Sequence, residues 1–409
     1  MRAKYFYGYN IVAASFIIQG VSIGAMFTYG IFFKEFQTEF GWSRATISGA
    51  SSLAFLVMGV AGIFAGRLND KIGPRVLMVI SGISFGLGYL LMSNLHAQWQ
   101  LYLFYGVLIG VGLSTHDIIT LSTVVRWFVR RRGMMSGIVK VGTGSGQLLV
   151  PLIVTAFIAT CGWRQSYVIM GVIVLVMLVA AALVLRRDPQ SMGLLPDGRR
   201  DEPCGDGIGF MERGVPLKRA IRTMQFWTIC AAEFIIFFCI LTIVVHIVPH
   251  ATDMGLPPAT AAGVLSMIGG VSMFGRFLMG TANDRIGGKR SLVICFIMLL
   301  CGLVLLQVAS EAWVLFLFAA VYGLALGGFF TVMSPTVAEL FGIGSHGELF
   351  GIAVFIGTLG GSIGPLLAGR IFDVTGSYQA VFLVLTGLAV LGLVLITMLR
   401  PLGGTRTGR

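Results

Sequence analysis

The sequence predicts an all-α membrane protein, with twelve transmembrane helices in two pseudo-symmetric six-helix halves. Three observations carry that expectation. Hydrophobic residues make up 56% of the 409 and charged residues 11%, with a mean hydropathy of +0.90. That is more apolar side chain than a solvated protein surface can hide. The apolar residues fall in long runs of membrane-crossing length, and the chain matches itself at an offset of 214 residues.

A bilayer core takes about 20 apolar residues per helix. In the first half the runs are 9–33, 46–66, 76–94, 99–124, 134–160 and 165–185. In the second they are 223–248, 258–281, 291–309, 313–336, 348–369 and 378–399. These must be helices, because an open sheet edge in lipid leaves backbone groups unpaired. The polar/apolar alternation of a membrane barrel is absent. The opening run, Tyr9 to Phe33, is too long for the apolar core of a cleaved signal peptide. Residues 187–222 are rich in Gly, Pro and charge, and read as a cytoplasmic linker joining half 1–186 to half 223–409.

The basic residues orient the spans. With the N-terminus inside, 23 of the 29 Lys and Arg fall on cytoplasmic segments, including Arg2, Lys4, Arg130 to Arg132, Arg199, Arg200, Arg213, Arg406 and Arg409. Four, Lys34, Arg44, Arg164 and Arg370, fall outside, and two, Lys140 and Arg276, fall within spans. This split predicts a multi-pass protein of the cell's inner membrane with both termini cytoplasmic. It also explains the net charge of +12 as a topology device beside an anionic leaflet, with the lipid bilayer and no nucleic acid as partner. The six cysteines form no Cys-x-x-Cys pair and no metal-ligand spacing with His.

At the 214-residue offset Gly41 falls on Gly255, Ala45-Thr46 on Ala259-Thr260, Gly49 on Gly263 and Ser52 on Ser266. The series continues through Gly66 on Gly280, Asn69-Asp70 on Asn283-Asp284, Gly73 on Gly287 and Arg75 on Lys289, and later through Gly137 on Gly351 and Pro151 on Pro365. Two halves from one ancestral unit are a transporter architecture, with the substrate site near the membrane midplane. The repeated segment, Gly66-Arg67-Leu68-Asn69-Asp70-Lys71-Ile72-Gly73-Pro74-Arg75 and Gly280-Thr281-Ala282-Asn283-Asp284-Arg285-Ile286-Gly287-Gly288-Lys289, resembles the cytoplasmic loop motif of the major facilitator superfamily. Its glycines permit a tight turn, and its Asp can cap a helix or bind a nearby base. It reads as a gating loop with a structural role, not a substrate contact.

Other segments resemble the monocarboxylate transporter family more specifically. They are Trp127-Phe128-Val129-Arg130-Arg131-Arg132 with the glycines of 142–146, Tyr29 to Phe36, Phe40 to Arg44, His246 to Asp253, Glu339 to Gly342 and the linker start Asp188 to Gly198. The pattern is similar to bacterial members and to the neighbouring oxalate–formate antiporter branch. The resemblance implies a secondary active transporter of lactate- or pyruvate-like monocarboxylates, proton-coupled and working by alternating access as a monomer. The alternative is an organic anion exchanger of the oxalate–formate type. It also implies that Arg276, four residues before Gly280, binds the substrate. Two family positions depart from the pattern: the acid one turn before that Arg is Ser272, and a first-span Lys of some animal members falls on Phe27. The family's proton route therefore does not carry over.

Ionisable residues at bilayer depth are site candidates, because each is costly there unless paired or wet. They are His116, Asp117, Lys140, Glu233, His246 and Arg276. Arg276 has Ser272 and Gly280 one turn either side, so no acid on its own helix face. Its planar guanidinium fits a carboxylate through two hydrogen bonds; an acid on another span, such as Glu233, is the competing partner. Counting 1.5 Å per residue from the inner ends of their spans places Asp117 and Lys140 level at about 10 Å depth, which predicts a salt bridge. Lys140 is a second candidate for a substrate carboxylate, and Asp117, Glu233 and His116 are candidates for the coupled proton. Tyr29, Tyr105 and Tyr322 offer pocket hydroxyls or packing rings. His246, His250 and Asp253 read as an outer mouth or loop brace. The Gly360-Gly361-Ser362-Ile363-Gly364 match to a hydrolase elbow has no strand before it. With no nucleophile–base pair and no metal cluster, the sequence predicts neither an enzyme nor a cofactor or metal.

Overall fold

The computed structural model describes residues 6–198 and 214–400. The linker call at 199–213, the terminal segments, and Arg2, Lys4, Arg199, Arg200, Arg213, Arg406 and Arg409 lie outside the described residues. Among the described residues the regular structure is all helical. Eleven helical stretches among the described residues are long and apolar enough to cross a membrane. One of them, Arg132–Val184, has 53 residues, far more than one crossing needs. It is interrupted at Gly162, whose φ of 76° and ψ of 167° no helix contains, so it supplies two of the twelve spans. The chain divides into two compact units, Met1–Pro203 and Cys204–Arg409.

In the first unit the helices are α1 Gly8–Phe27, α2 Tyr29–Phe40, α3 Arg44–Ile72, α4 Pro74–Met92, α5 Gln98–Leu101, a π-helical stretch Tyr102–Ile109, α6 Gly110–Leu113, α7 His116–Trp127 and α8 Arg132–Val184. Two spans expected as continuous helices are therefore broken. The first is interrupted at Thr28, where Ala25 O accepts from the Thr28 hydroxyl at 2.7 Å and the Tyr89 hydroxyl at 2.6 Å. The fourth winds wide through its π segment and stops at Ser114–Thr115 before α7 restarts. Such breaks leave backbone groups unpaired in an apolar medium, and persist where side chains take them up.

The second unit repeats the plan with α9 Leu217–Ala220, α10 Met224–Asp253, α11 Pro258–Ile286, α12 Gly288–Gln307, α13 Ala312–Phe341, α14 His346–Thr375 and α15 Gln379–Met398. In the first unit α1 packs on α8, α3 on the π stretch and α4 on α8. In the second α10 packs on α14, α11 on α13 and α12 on α15. One close approach recurs at the sequence offset. A Cβ on Gly146 would collide with the carbonyl of Gly20, and one on Gly360 with the carbonyl of Phe234. One turn on, the glycine changes sides: the first unit has Gly24 on α1 against the Val150 side chain on α8, and the second has Gly364 on α14 against the Phe238 backbone on α10.

Polar clusters tie the ends of the first unit. The repeated loop turns on Gly73, at φ 87°, with Gly287 at φ 83° as its counterpart. Asp70 takes Arg126 at 2.8 Å, and Arg187 donates to Asp70 O at 2.6 Å and to Lys71 O at 3.3 Å. Asp197, at φ 59°, accepts the amides of Val129 and Arg130 at 3.1 and 3.0 Å. This fastens the start of the linker segment beneath α7. At the other end Glu39 accepts from Arg164 at 2.5 Å and from the Trp163 indole at 2.7 Å. The Arg164 hydrogen bond, opposed by slight burial and helped by Trp163, holds the Glu39 carboxyl below the usual carboxylate range.

Candidate functional site

The first unit builds a buried polar cluster around Asp117. Because the fourth span restarts at His116, Asp117 lies in the first turn of α7, where the positive end of the helix dipole favours a carboxylate. Lys140, on α8, forms the expected ion pair with Asp117 Oδ1; the lysine side chain is 5% exposed and the aspartate 18%. The same Oδ1 accepts from Gln19 Nε2 at 2.7 Å. Gln19 also donates to the Thr120 hydroxyl at 2.9 Å and lies 3.3 Å from His116 O. Its own Oε1 accepts from Thr143 at 2.8 Å. One amide thus ties the first, fourth and fifth spans around the ion pair. His116 is buried but turned to its own turn, its Nδ1 2.5 Å from Leu113 O.

Gln19, Thr120 and Thr143 had no place in the sequence reading. A single uncharged polar residue in an apolar run draws little notice. The available signal was the internal repeat: at the 214-residue offset Gln19 falls on Glu233, itself a singled-out residue.

In the second unit Arg276 is 4% exposed, within α11. The backbone of α13 closes on α11 there: a Cβ on Gly327 would meet Arg276 N at 2.7 Å, and one on Gly275 would meet Leu324 O at 2.6 Å. The guanidinium therefore leaves the helix from a firmly held backbone. Glu233, on α10, is likewise 4% exposed. His246 is a brace: its Nε2 donates to Pro365 O at 3.0 Å, so its Nδ1 accepts from the Tyr378 hydroxyl at 3.1 Å.

The hydroxyls of the three candidate tyrosines are spent on backbone. Tyr29 donates to Ile47 O at 2.6 Å, Tyr105 to Met26 O at 3.4 Å, and Tyr322 to Cys239 O and Ile240 O at 3.3 and 3.4 Å. That geometry ties helices together and does not present a hydroxyl to a ligand. The loop residues Gly66, Asp70, Gly73 and Arg75 lie at the end of α3 and the start of α4, and Gly280, Asp284, Gly287 and Lys289 at the corresponding place on α11 and α12. In the second loop Glu339 accepts the Gly288 amide at 2.8 Å, at the first residue of α12. The Ser362 hydroxyl of the hydrolase-like match donates to Thr358 O at 2.9 Å within α14. Among the described residues no group of three metal-ligating side chains converges.

Comparison with known proteins points one way. The Major Facilitator Superfamily model matches residues 15–282 and 272–408. Monocarboxylate transporter 13 of Rattus norvegicus is 27% identical over 395 residues, covering 96% of this chain and 89% of that protein. Monocarboxylate transporter 11 of Homo sapiens is 26% identical over 397 residues, covering 94% and 81%. Among solved structures, the proton:xylose symporter XylE superposes with a TM-score of 0.77 at 15% identity, covering 97% of each chain.

Proposed function

From the premise that this chain belongs to the major facilitator superfamily, and so is a membrane transporter, we propose that it carries small monocarboxylates of the lactate and pyruvate class in symport with a proton, by alternating access. The observation that carries this reading is Arg276, a permanent cation 4% exposed inside an apolar membrane helix. Ionisable residues at that depth mark substrate paths, and a planar carboxylate is the small ligand that matches a guanidinium's two-pronged donor face. The monocarboxylate transporter relatives support the same substrate class.

An anion carried with a proton moves no net charge, so a second group must hold the proton while the cation holds the substrate. In this reading that group is Asp117: ionised it pairs with Lys140, and protonated it releases the lysine. Glu233 and then His116 are the next candidates. The orientation is the one the basic residues imply, with both termini cytoplasmic. A second reading, exchange of two organic anions, draws on Lys140 as a further carboxylate partner once it is free of Asp117.

Uptake of labelled lactate into proteoliposomes under an inward proton gradient tests the proposal. Pyruvate, acetate, oxalate and formate as competitors define the substrate. Arg276→Lys keeps the charge and loses the paired geometry, so transport should fall at least about tenfold, the scale of lost charge-assisted hydrogen bonds. Wild-type affinity in Arg276→Ala would remove the arginine from the site.

A further inference from the structure

We infer that Gln19 is a positioning residue for the coupling carboxylate: it holds Asp117 by one oxygen, in register with Lys140, and leaves the other oxygen to take the proton. This rests on the reading of Asp117 as the proton carrier.

Gln19 is fully buried on α1, in the stretch where α1 and α8 approach backbone to backbone. Its amide can face only one way. Thr143 donates to Oε1 at 2.8 Å, and the Nε2 side meets the Asp117 carboxylate at 2.7 Å. Reversing the amide would set its oxygen against the ionised carboxylate. Lys140 and Gln19 both use Oδ1. No bond to Oδ2 is found among the described residues, and the aspartate side chain is 18% exposed, so Oδ2 is the oxygen left for the proton.

The two donors differ in what protonation does to them. When a proton binds Oδ2, an O–H bond forms there and the carboxyl becomes neutral. The charge attraction between Asp117 and Lys140 is then lost, while Oδ1, now carbonyl-like, still accepts from the Gln19 amide. Gln19 therefore holds the carboxyl in place through both protonation states, and the lysine is the partner that changes.

The surroundings leave little else to anchor Asp117. Lys140 faces it from α8, and His116, its neighbour on α7, is turned to Leu113 O. The helices α3 and α4 bring charged residues only at their ends, Arg44, Arg67, Asp70, Lys71 and Arg75, and the 196–198 turn brings Asp197 to the far end of α7.

The test uses full-length protein in proteoliposomes with labelled lactate, comparing exchange against unlabelled lactate with accumulation under a pH gradient. Gln19→Leu should keep the exchange KM within about twofold and lose about tenfold or more of the accumulation, the scale of a hydrogen bond to a charged group. Thr143→Val, which removes only the anchor of the amide, should show the same split more weakly. If Gln19→Leu does not stay monodisperse, Thr143→Val carries the test on the same criterion. Exchange and accumulation falling in equal proportion, or full accumulation in Gln19→Leu, would overturn the inference. Asp117→Asn is run beside them. Full accumulation in that variant would overturn the Asp117 reading itself. Loss there with retention in Gln19→Leu would overturn the role of Gln19 alone.

Discussion

A side chain in this molecule acts according to the partners its neighbours leave it. Asp117 and Glu39 are both acids beside a base, yet they do different work. Asp117 shares a buried cluster with Lys140 and Gln19, while Glu39 lies in a half-open clasp with Arg164 and Trp163. The consequence for Glu39 can be measured. Its folded carboxyl lies below the ordinary value of 4.5. It therefore adds stability that is complete above the unfolded value and drains away as the pH falls through the lowered one. Glu39→Gln should cost some thermal stability at neutral pH in detergent, and the gap to wild type should close on acidification below about pH 4. A gap that widens on acidification would contradict this sign. The ion pair of Asp117 and Lys140 was legible in the sequence, because two opposite charges at equal depth in apolar spans have few other ways to be accommodated. Gln19 was not, because an uncharged amide announces its role only through contacts that folding creates.

Helices packed backbone to backbone have no slack. The glycines of α8 and α14 stand out in the sequence as clusters of small residues within apolar runs, but which carbonyl each would meet does not. At Gly146 even one methyl group meets the Gly20 carbonyl, so Gly146→Ala should destabilise the protein by about 1–3 kcal/mol, and Gly360→Ala by a similar amount. Gly269→Ala, where nothing lies within 4 Å, should leave the melting temperature unchanged. Thermal unfolding followed by fluorescence size-exclusion separates these outcomes, and a Gly146→Ala protein as stable as Gly269→Ala would mean the helices are free to part. Spans such as α12 and α15 lie close to where hydropathy places them, because length and apolarity define a crossing. The breaks at Thr28 and at Ser114–Thr115 escape that reading. A hydropathy run averages over a whole crossing, whereas each break turns on a few residues and on distant hydrogen bonds such as Tyr89 to Ala25 O.

At the scale of the whole chain, the asymmetry of its basic residues predicts its orientation. Gly207→Cys, in a background lacking Cys161, Cys204 and Cys301, should resist a membrane-impermeant maleimide in intact cells and react after permeabilisation. Ser377→Cys, exposed at the opposite end of the spans, should react from outside. Labelling of Gly207→Cys in sealed cells would invert the topology. The two-unit plan was the most legible feature of all, because a repeat at fixed offset is written in the chain and needs no folding to be seen. The contact where Gly24 faces Val150 in one unit and Phe238 faces Gly364 in the other shows how such a plan ages. In the first unit position 24 cannot be enlarged unless the Val150 side chain shrinks, so the two drift as a couple; in the second, Gly364 lies against the Phe238 backbone and the Thr242 hydroxyl, which no change of side chain at 238 moves aside. The same pair of positions is thus held by a side chain in one unit and by backbone in the other. Family alignments should therefore show 24 covarying with 150 in size, while 364 stays small whatever side chain stands at 238.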